Sequence, residues 1–195
     1  MASQTPSLER RGRGPKQATA AHLENAALHY LERFASSSAN LKRVLMRKVA
    51  RSAQAHGTDA AQGERLVDAI VARYLAAGLL DDRAFAVQKA ASLRRRGTSR
   101  FGIRGRLALK GVPEGLIDEV VRELDADDGT GELAAACALV RRRRLGPLRA
   151  PADRLRHRRK DLAALARAGF GLALARRVLA ASDEDALEAL ARGED

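Results

Sequence analysis

The chain has 195 residues, of which 46% are hydrophobic, 3% aromatic and 31% charged, a length that suits one compact domain or a few small helical modules. The single cysteine, Cys137, excludes a disulfide framework and a thiolate metal site, and no apolar run approaches the roughly 20 residues of a membrane span. Thirty-six Lys and Arg residues against 24 Asp and Glu give a net charge of +12, which fits a polyanion or an acidic protein surface as partner. We expect a cytoplasmic protein without a membrane contact.

The composition predicts an all-α fold. Ala, Leu, Arg and Glu dominate and lose little rotamer freedom in a helix, whereas the β-branched runs that a sheet needs are missing. Residues 1–18 contain prolines, glycines and scattered charges without periodicity, which predicts a disordered basic tail. No hydrophobic segment follows its basic residues, so we do not expect a signal peptide.

The first predicted three-helix module covers residues 19–80. Its first helix carries an apolar stripe over Ala26–Phe34 at spacings of three and four residues, and Ser36–Ser38 then offer N-caps for a second helix. The clearest helix of the chain follows, with an apolar face over Leu66–Leu75. Such a face predicts that the helix packs against its neighbours.

The second predicted module covers residues 81–128. Asp81 or Asp82 is expected to cap its first helix, because the positive end of the helix dipole favours a carboxylate. That helix stops near Gly97, a second ends at Gly111, and a third precedes a polar linker.

The third predicted module covers residues 129–195. It begins with a helix over Leu133–Leu145, followed by a basic, proline-containing loop from Gly146 to about Arg158. Two more helices and a short C-terminal helix capped near Asp183 complete it.

Internal repeats support this division. Leu107 and Gly111 recur as Leu165 and Gly169 at a shift of 58 residues, and at the same shift Val120 falls on Val178. Other matches, at a shift of 62, relate the first module to the second: Leu41 with Ile103, Leu45 with Leu107, and Lys48 with Lys110. The sequence thus predicts three tandem three-helix repeats.

Several strings resemble the RecX family. They are Tyr30-Leu-Glu-Arg-Phe-Ala-Ser36, Gly78-Leu-Leu-Asp-Asp-Arg-Ala-Phe-Ala86, Arg95-Arg-Gly97 with Leu107-Ala-Leu-Lys-Gly-Val112, and Leu165-Ala-Arg-Ala-Gly-Phe170. The similarity runs from about Ala26 to Leu179, and the order and spacing of the strings make it specific. In one place the third unit has Arg167-Ala168 where the second has Leu109-Lys110, so the basic residue is displaced by one.

The resemblance implies an elongated, curved body of three-helix repeats that binds the RecA filament on DNA along its groove. It implies inhibition of ATP hydrolysis, filament extension and strand exchange, and some members of the family bind DNA themselves. We accordingly expect a monomeric regulator of RecA in DNA repair, recombination and the SOS response. A non-specific DNA-binding or nucleoid-type protein that acts independently of RecA is the alternative.

Two basic blocks are the candidate contact surface. The first, from Arg83 to Lys110, has nine basic residues and no acidic one, and the second, from Arg141 to Lys160, has a single acidic residue, Asp153. The residues expected to contact an acidic RecA surface or DNA phosphates are Arg94, Arg95, Arg96, Arg100, Arg104, Lys110, Arg141, Arg142, Arg143 and Arg144. Plain solvation of helices by arginine is the alternative explanation of each block.

The sequence carries no pattern of catalysis. The four histidines are scattered without the spacing of a helical metal site, and no glycine-rich phosphate loop is present. We therefore expect no enzyme activity, no cofactor and no metal. Most of the six aromatic residues lie on apolar stripes, which predicts a core position and argues against a stacking platform for single strands.

Overall fold

The computed structural model describes residues 14–126 and 131–194, and within them the chain is helical without any strand. The all-α prediction is confirmed for this part of the chain. The helices are α1 (Ala20–Leu31), α2 (Ser38–His56), α3 (Ala60–Ala76), α4 (Asp82–Arg95), α5 (Arg100–Ala108), α6 (Glu114–Ala126), α7 (Gly131–Arg143), α8 (Pro151–Arg167), α9 (Leu172–Leu179) and α10 (Glu184–Ala191), with a 3₁₀ turn at Gly146–Leu148.

The first of two compact units comprises the described residues up to Ala35 together with Asn40–Leu79. Its core takes apolar side chains from three helices: Leu23 and Ala27 of α1, Leu41, Leu45 and Val49 of α2, and Val67, Ile70 and Tyr74 of α3. Phe34 was predicted on the apolar stripe of the first helix but is 55% exposed. The prediction of a core position is wrong: Phe34 lies beyond the end of α1 at Leu31, where its ring contacts only the ring of Tyr30 among aromatic side chains of the described residues, with centroids 5.2 Å apart.

The predicted basic tail ends against this unit. Residues 1–13 lie outside the described residues, and the following residues up to Thr19 have no regular secondary structure. The buried Ala18 donates its backbone N–H to Ser52 Oγ at 2.8 Å, and the carbonyl oxygen of Pro15 lies 2.6 Å from His56 Nε2. The segment that precedes α1 is thus attached to α2, while the predicted domain boundaries stay predictions.

The second unit comprises Ser36–Ala39 together with the described residues from Leu80 onward. It contains two hydrophobic clusters, one formed by α4, α5 and α6 and one formed by α7, α8, α9 and α10. Asp81 caps α4 by accepting the N–H of Ala84 at 2.9 Å, as predicted for this pair of acids. Asp82 instead accepts the backbone N–H of Ser38 at 2.7 Å.

The repeat predicted from the sequence is visible in the ends of α5 and α8. Gly111 and Gly169 both have positive φ, of 76° and 88°. The residue after each glycine donates its N–H back to the equivalent leucine: Val112 to Leu107 at 3.2 Å and Phe170 to Leu165 at 3.1 Å. Both leucines are fully buried, so the two turns share the same hydrogen-bond pattern and the same buried leucine side chain.

The basic loop predicted from Gly146 to about Arg158 is wrong over most of its length. The irregular segment is short, and α8 begins at Pro151 and continues through the arginines to Arg167. Proline at the first position of a helix loses no hydrogen bond and has a suitable φ, so it starts this helix rather than interrupting it.

A buried carboxylate joins the start of this segment to α8. Asp161 is 1% exposed and accepts the Gly146 N–H at 2.9 Å and the Nε and Nη2 groups of Arg149 at 2.8 Å each. Burial by itself raises the pKa of Asp161, but the hydrogen bonds from Arg149 and Gly146 outweigh it and hold the pKa below its usual value. The ionised carboxylate therefore stabilises the turn.

Candidate functional site

A basic groove lies where α5, α7 and the end of α8 meet, with a cavity volume of about 290 Å³. Four arginines line it: Arg106 from α5, Arg142 and Arg143 from α7, and Arg167 from α8. None of the described residues that line it is acidic. We call this cavity the junction groove; its other lining residues are Gly97, Thr98, Phe101, Gly102, Leu139 and Ala168.

Gly97 lets the end of α4 approach α7 closely enough to form the groove. It has a φ of 74°, which glycine adopts without strain. A Cβ atom at this position would lie 2.7 Å from the backbone nitrogen of Leu139 and 2.8 Å from the carbonyl oxygen of Ala135. Because both neighbours are backbone atoms of α7, a side chain would push the two helices apart.

Ser99 ties the start of α5 to the end of α8. Its Oγ accepts the Gly102 N–H at 3.1 Å, which caps α5, and donates to the carbonyl oxygen of Ala168. The same serine therefore sets the direction of α5 and its distance from α8, the two helices that supply Arg106 and Arg167.

Arg94 does not lie on the surface, although it was predicted as a contact residue. Its side chain is 8% exposed and forms ion pairs with Asp125 and Glu132. These two acids stand at the end of α6 and the start of α7, so one guanidinium joins the second predicted module to the third. We do not include Arg94 in the contact surface that we propose.

Three other predicted contact residues are also held by carboxylates of the chain, although they remain partly exposed. Arg100 Nε lies 3.1 Å from Asp125, Arg104 pairs with Asp118 and Glu114, and Arg141 lies 3.6 and 3.7 Å from Glu184 and Glu188. Their positive charge is therefore partly compensated within the protein.

The remaining predicted arginines are exposed, and no ion pair links them to a carboxylate of the described residues. They are Arg95, Arg96, Arg142, Arg143 and Arg144. Arg142 Nη1 donates to the carbonyl oxygen of Arg96 at 2.6 Å, so the ends of α4 and α7 meet here. Lys110 is half-buried, and its carbonyl oxygen accepts from Ser37 Oγ.

Phe101, Arg106 and Arg167 line the groove but were not predicted as contact residues. Phe101 is one of the six aromatic residues, most of which were predicted to lie in the core, yet it is 75% exposed. The sequence of α5 could have indicated this exposure. The buried Ile103 and Leu107 define the inner face of the helix, and Phe101, two positions before Ile103, points to the opposite face. For Arg167, the sequence offered one indication of a contact role: the basic residue of the third repeat stands one position before the place that corresponds to Lys110.

Three further properties concern the described residues. Within them, no group of three or more His, Cys, Asp or Glu side chains is arranged to hold a metal ion. None of their helices is both long and apolar enough to cross a bilayer. Cys137 is buried as predicted, and desolvation raises the pKa of its thiol.

Within the described residues the protein is all-helical, and its basic groove lies where α5, α7 and the end of α8 meet. The family model of the second three-helix domain of RecX matches residues 81–121. The regulatory protein RecX of Myxococcus xanthus (strain DK1622) is 44% identical over 172 residues, which cover 88% of this chain and 91% of that protein. The regulatory protein RecX of Agrobacterium fabrum (strain C58) is 29% identical over 166 residues, or 85% of this chain and 86% of that protein.

The chain belongs to the RecX family, a family of regulatory proteins. The resemblance read from the sequence is thereby confirmed. No solved structure matches the chain significantly.

Proposed function

We propose that this protein regulates RecA by binding the RecA–DNA filament in its groove and inhibiting its ATP hydrolysis, filament extension and strand exchange. The observation that carries the proposal is the similarity to a named RecX regulator over most of both chains. We further propose that the protein acts in the cytoplasm as a monomeric binding protein rather than as an enzyme, in DNA repair, recombination and the SOS response.

The proposed contact surface consists of the exposed arginines at the ends of α4 and α7. Arg95, Arg96, Arg142, Arg143 and Arg144 have no carboxylate partner among the described residues, so their charge is available to an acidic protein surface or to DNA phosphates. Arg100, Arg104, Lys110 and Arg141 extend this surface. Their contribution is smaller where a carboxylate already neutralises the side chain.

The test is RecA's ATP hydrolysis on single-stranded DNA, with this protein titrated in at fixed salt. Loss of hydrolysis at amounts well below RecA is expected. The double substitution Arg95→Glu and Arg96→Glu should raise the amount needed at least about tenfold, because like charges placed together at an interface cost several kcal/mol. Arg122→Glu, an exposed arginine of α6, is the matched control and should inhibit like the unaltered protein.

Non-specific DNA binding that acts independently of RecA is the second candidate, and the uncompensated arginines favour it as well. It requires duplex DNA to be held by the protein alone, with a steep dependence on salt. Unchanged RecA hydrolysis together with such binding would refute the regulatory proposal and support this one.

A further inference from the structure

Two of the four arginines of the junction groove are positioned by neutral groups, which leave their charge uncompensated. Arg106 Nη1 donates to Thr98 Oγ1 at 3.3 Å, and Arg142 Nη1 donates to the carbonyl oxygen of Arg96 at 2.6 Å. A guanidinium has five N–H donors, so one such bond orients it and leaves others for an anionic ligand. No ion pair joins any of the four to a carboxylate in residues 14–126 or 131–194.

Phe101 adds an aromatic surface to this site. It belongs to the groove lining, and three quarters of its surface is exposed. It lies against the turn at the end of α8, where a Cβ on Gly169 would be 3.1 Å from the Phe101 Cβ. A large apolar ring that is held in place yet exposed next to arginines is the arrangement on which unpaired bases stack.

We propose that the junction groove binds single-stranded DNA, with phosphates held by the groove arginines and one base stacked on Phe101. The inference rests on the proposed function, in which the filament's DNA is within reach, and it assigns a site for that DNA on this chain. A single strand is favoured over a duplex because duplex bases are already stacked and cannot cover Phe101. It is favoured over an acidic protein segment because carboxylates would account for the arginines but not for the exposed ring.

The cavity size agrees with this ligand. Its volume of about 290 Å³ is just below the roughly 300–1,000 Å³ of pockets that enclose a small-molecule ligand. A site of this size can hold one nucleotide of a single strand, while the rest of the strand continues along the protein surface. The exposed Arg95 and Arg96 at the end of α4 provide further positive charge next to the groove for the continuing strand.

The experiment measures fluorescence anisotropy of labelled oligo(dT) with the full chain, without RecA, over a series of salt concentrations. Phe101→Ala should weaken binding about 5- to 150-fold, the effect of removing one stacked base. Arg106→Gln combined with Arg167→Gln should reduce the slope of log affinity against log salt by about 1.4, since each phosphate contact to a single strand contributes about 0.7. Far-UV circular dichroism confirms that each variant folds.

Matched controls come from exposed residues outside the groove. Phe34→Ala removes an aromatic ring that is 55% exposed, and Arg122→Gln combined with Arg51→Gln removes two exposed charges. Both control variants should bind oligo(dT) as the unaltered protein does. Equal losses in these controls would overturn the assignment of the strand to the groove.

Two other outcomes would also overturn the proposal. One is equal binding of a hairpin duplex with no effect of Phe101→Ala, which would show phosphate contacts without stacking. The other is no oligo(dT) binding but binding of labelled oligo-glutamate that the Arg106 and Arg167 substitutions abolish, which would assign the groove to an acidic protein segment. Inhibition of RecA is measured in a separate assay, so the proposal of single-strand binding and the proposal of RecA regulation can each be refuted independently.

Discussion

Replacing Arg94 by methionine tests whether one buried guanidinium holds the second and third modules together. Methionine keeps the length of the aliphatic stem and removes the charge. The substitution removes the guanidinium from Asp125 and Glu132, whose side chains are 25% and 22% exposed. Asp125 keeps its ion pair with Arg100, and Glu132 keeps the hydrogen bond from the Arg100 backbone N–H. It thus probes the ion pairs rather than the packing of the stem.

The magnitude follows from the burial of the three groups. Removing one partner of a buried ion pair costs about 3–5 kcal/mol, because an uncompensated charge remains. Here the two carboxylates keep some contact with water, so we expect a somewhat smaller loss, about 2–4 kcal/mol of unfolding free energy. The assay is urea denaturation followed by far-UV circular dichroism.

A triple variant separates the charge effect from lost packing. Arg94→Met with Asp125→Asn and Glu132→Gln removes the two carboxylates together with the buried guanidinium, so it should be more stable than Arg94→Met alone. The network is not fully satisfied to begin with, because Arg94 Nε is buried without a hydrogen-bond partner among the described residues. Arg95→Met, at the exposed neighbouring position, should change stability by less than about 0.5 kcal/mol. Equal effects of Arg94→Met and Arg95→Met would refute the reasoning.

Two further predictions concern backbone geometry and pH. Gly97→Ala should destabilise the protein by about 2 kcal/mol or more in the same urea assay, because it combines a positive φ with two backbone clashes. Gly105→Ala, a helical position with no atom within 4 Å of the new Cβ, should stabilise it by about 0.5–1 kcal/mol. Asp161 has a lowered pKa in the folded protein, so its stabilisation is present above the unfolded pKa and is lost as the pH falls through the folded pKa. Asp161→Asn should therefore differ most from the unaltered protein near neutral pH and least in acid; a difference that stays constant with pH would contradict this.

Much of the fold could be predicted because its signals are local. The turns at Gly111 and Gly169 combine a buried leucine four positions earlier with a glycine that takes positive φ, and both parts are readable in the sequence. The cap at Asp81 is equally local. Phe34 was misplaced because a periodic pattern does not show where the helix ends.

The groove could not be predicted because three separate segments form it. Arg94, Arg95 and Arg96 are identical in type and consecutive in sequence, yet Arg94 is buried and its two neighbours are exposed. What distinguishes them is the position of Asp125 and Glu132, which lie more than thirty residues further along the chain. The number of basic residues in a stretch of sequence therefore does not show which of them a distant carboxylate buries.

The placement of the acidic residues decides which arginines a polyanion can reach. An exposed ion pair contributes only about 0–1 kcal/mol, so a phosphate can replace Asp125 at Arg100 or Asp118 at Arg104 at little cost. It cannot do so at Arg94, because the guanidinium is buried and its release would break its ion pairs with Asp125 and Glu132. The contact surface that we propose therefore excludes Arg94, and we expect it to attract a polyanion most strongly at the groove arginines and less strongly at the paired arginines around them. Binding that depended equally on all ten predicted residues would be incompatible with this distribution of charge.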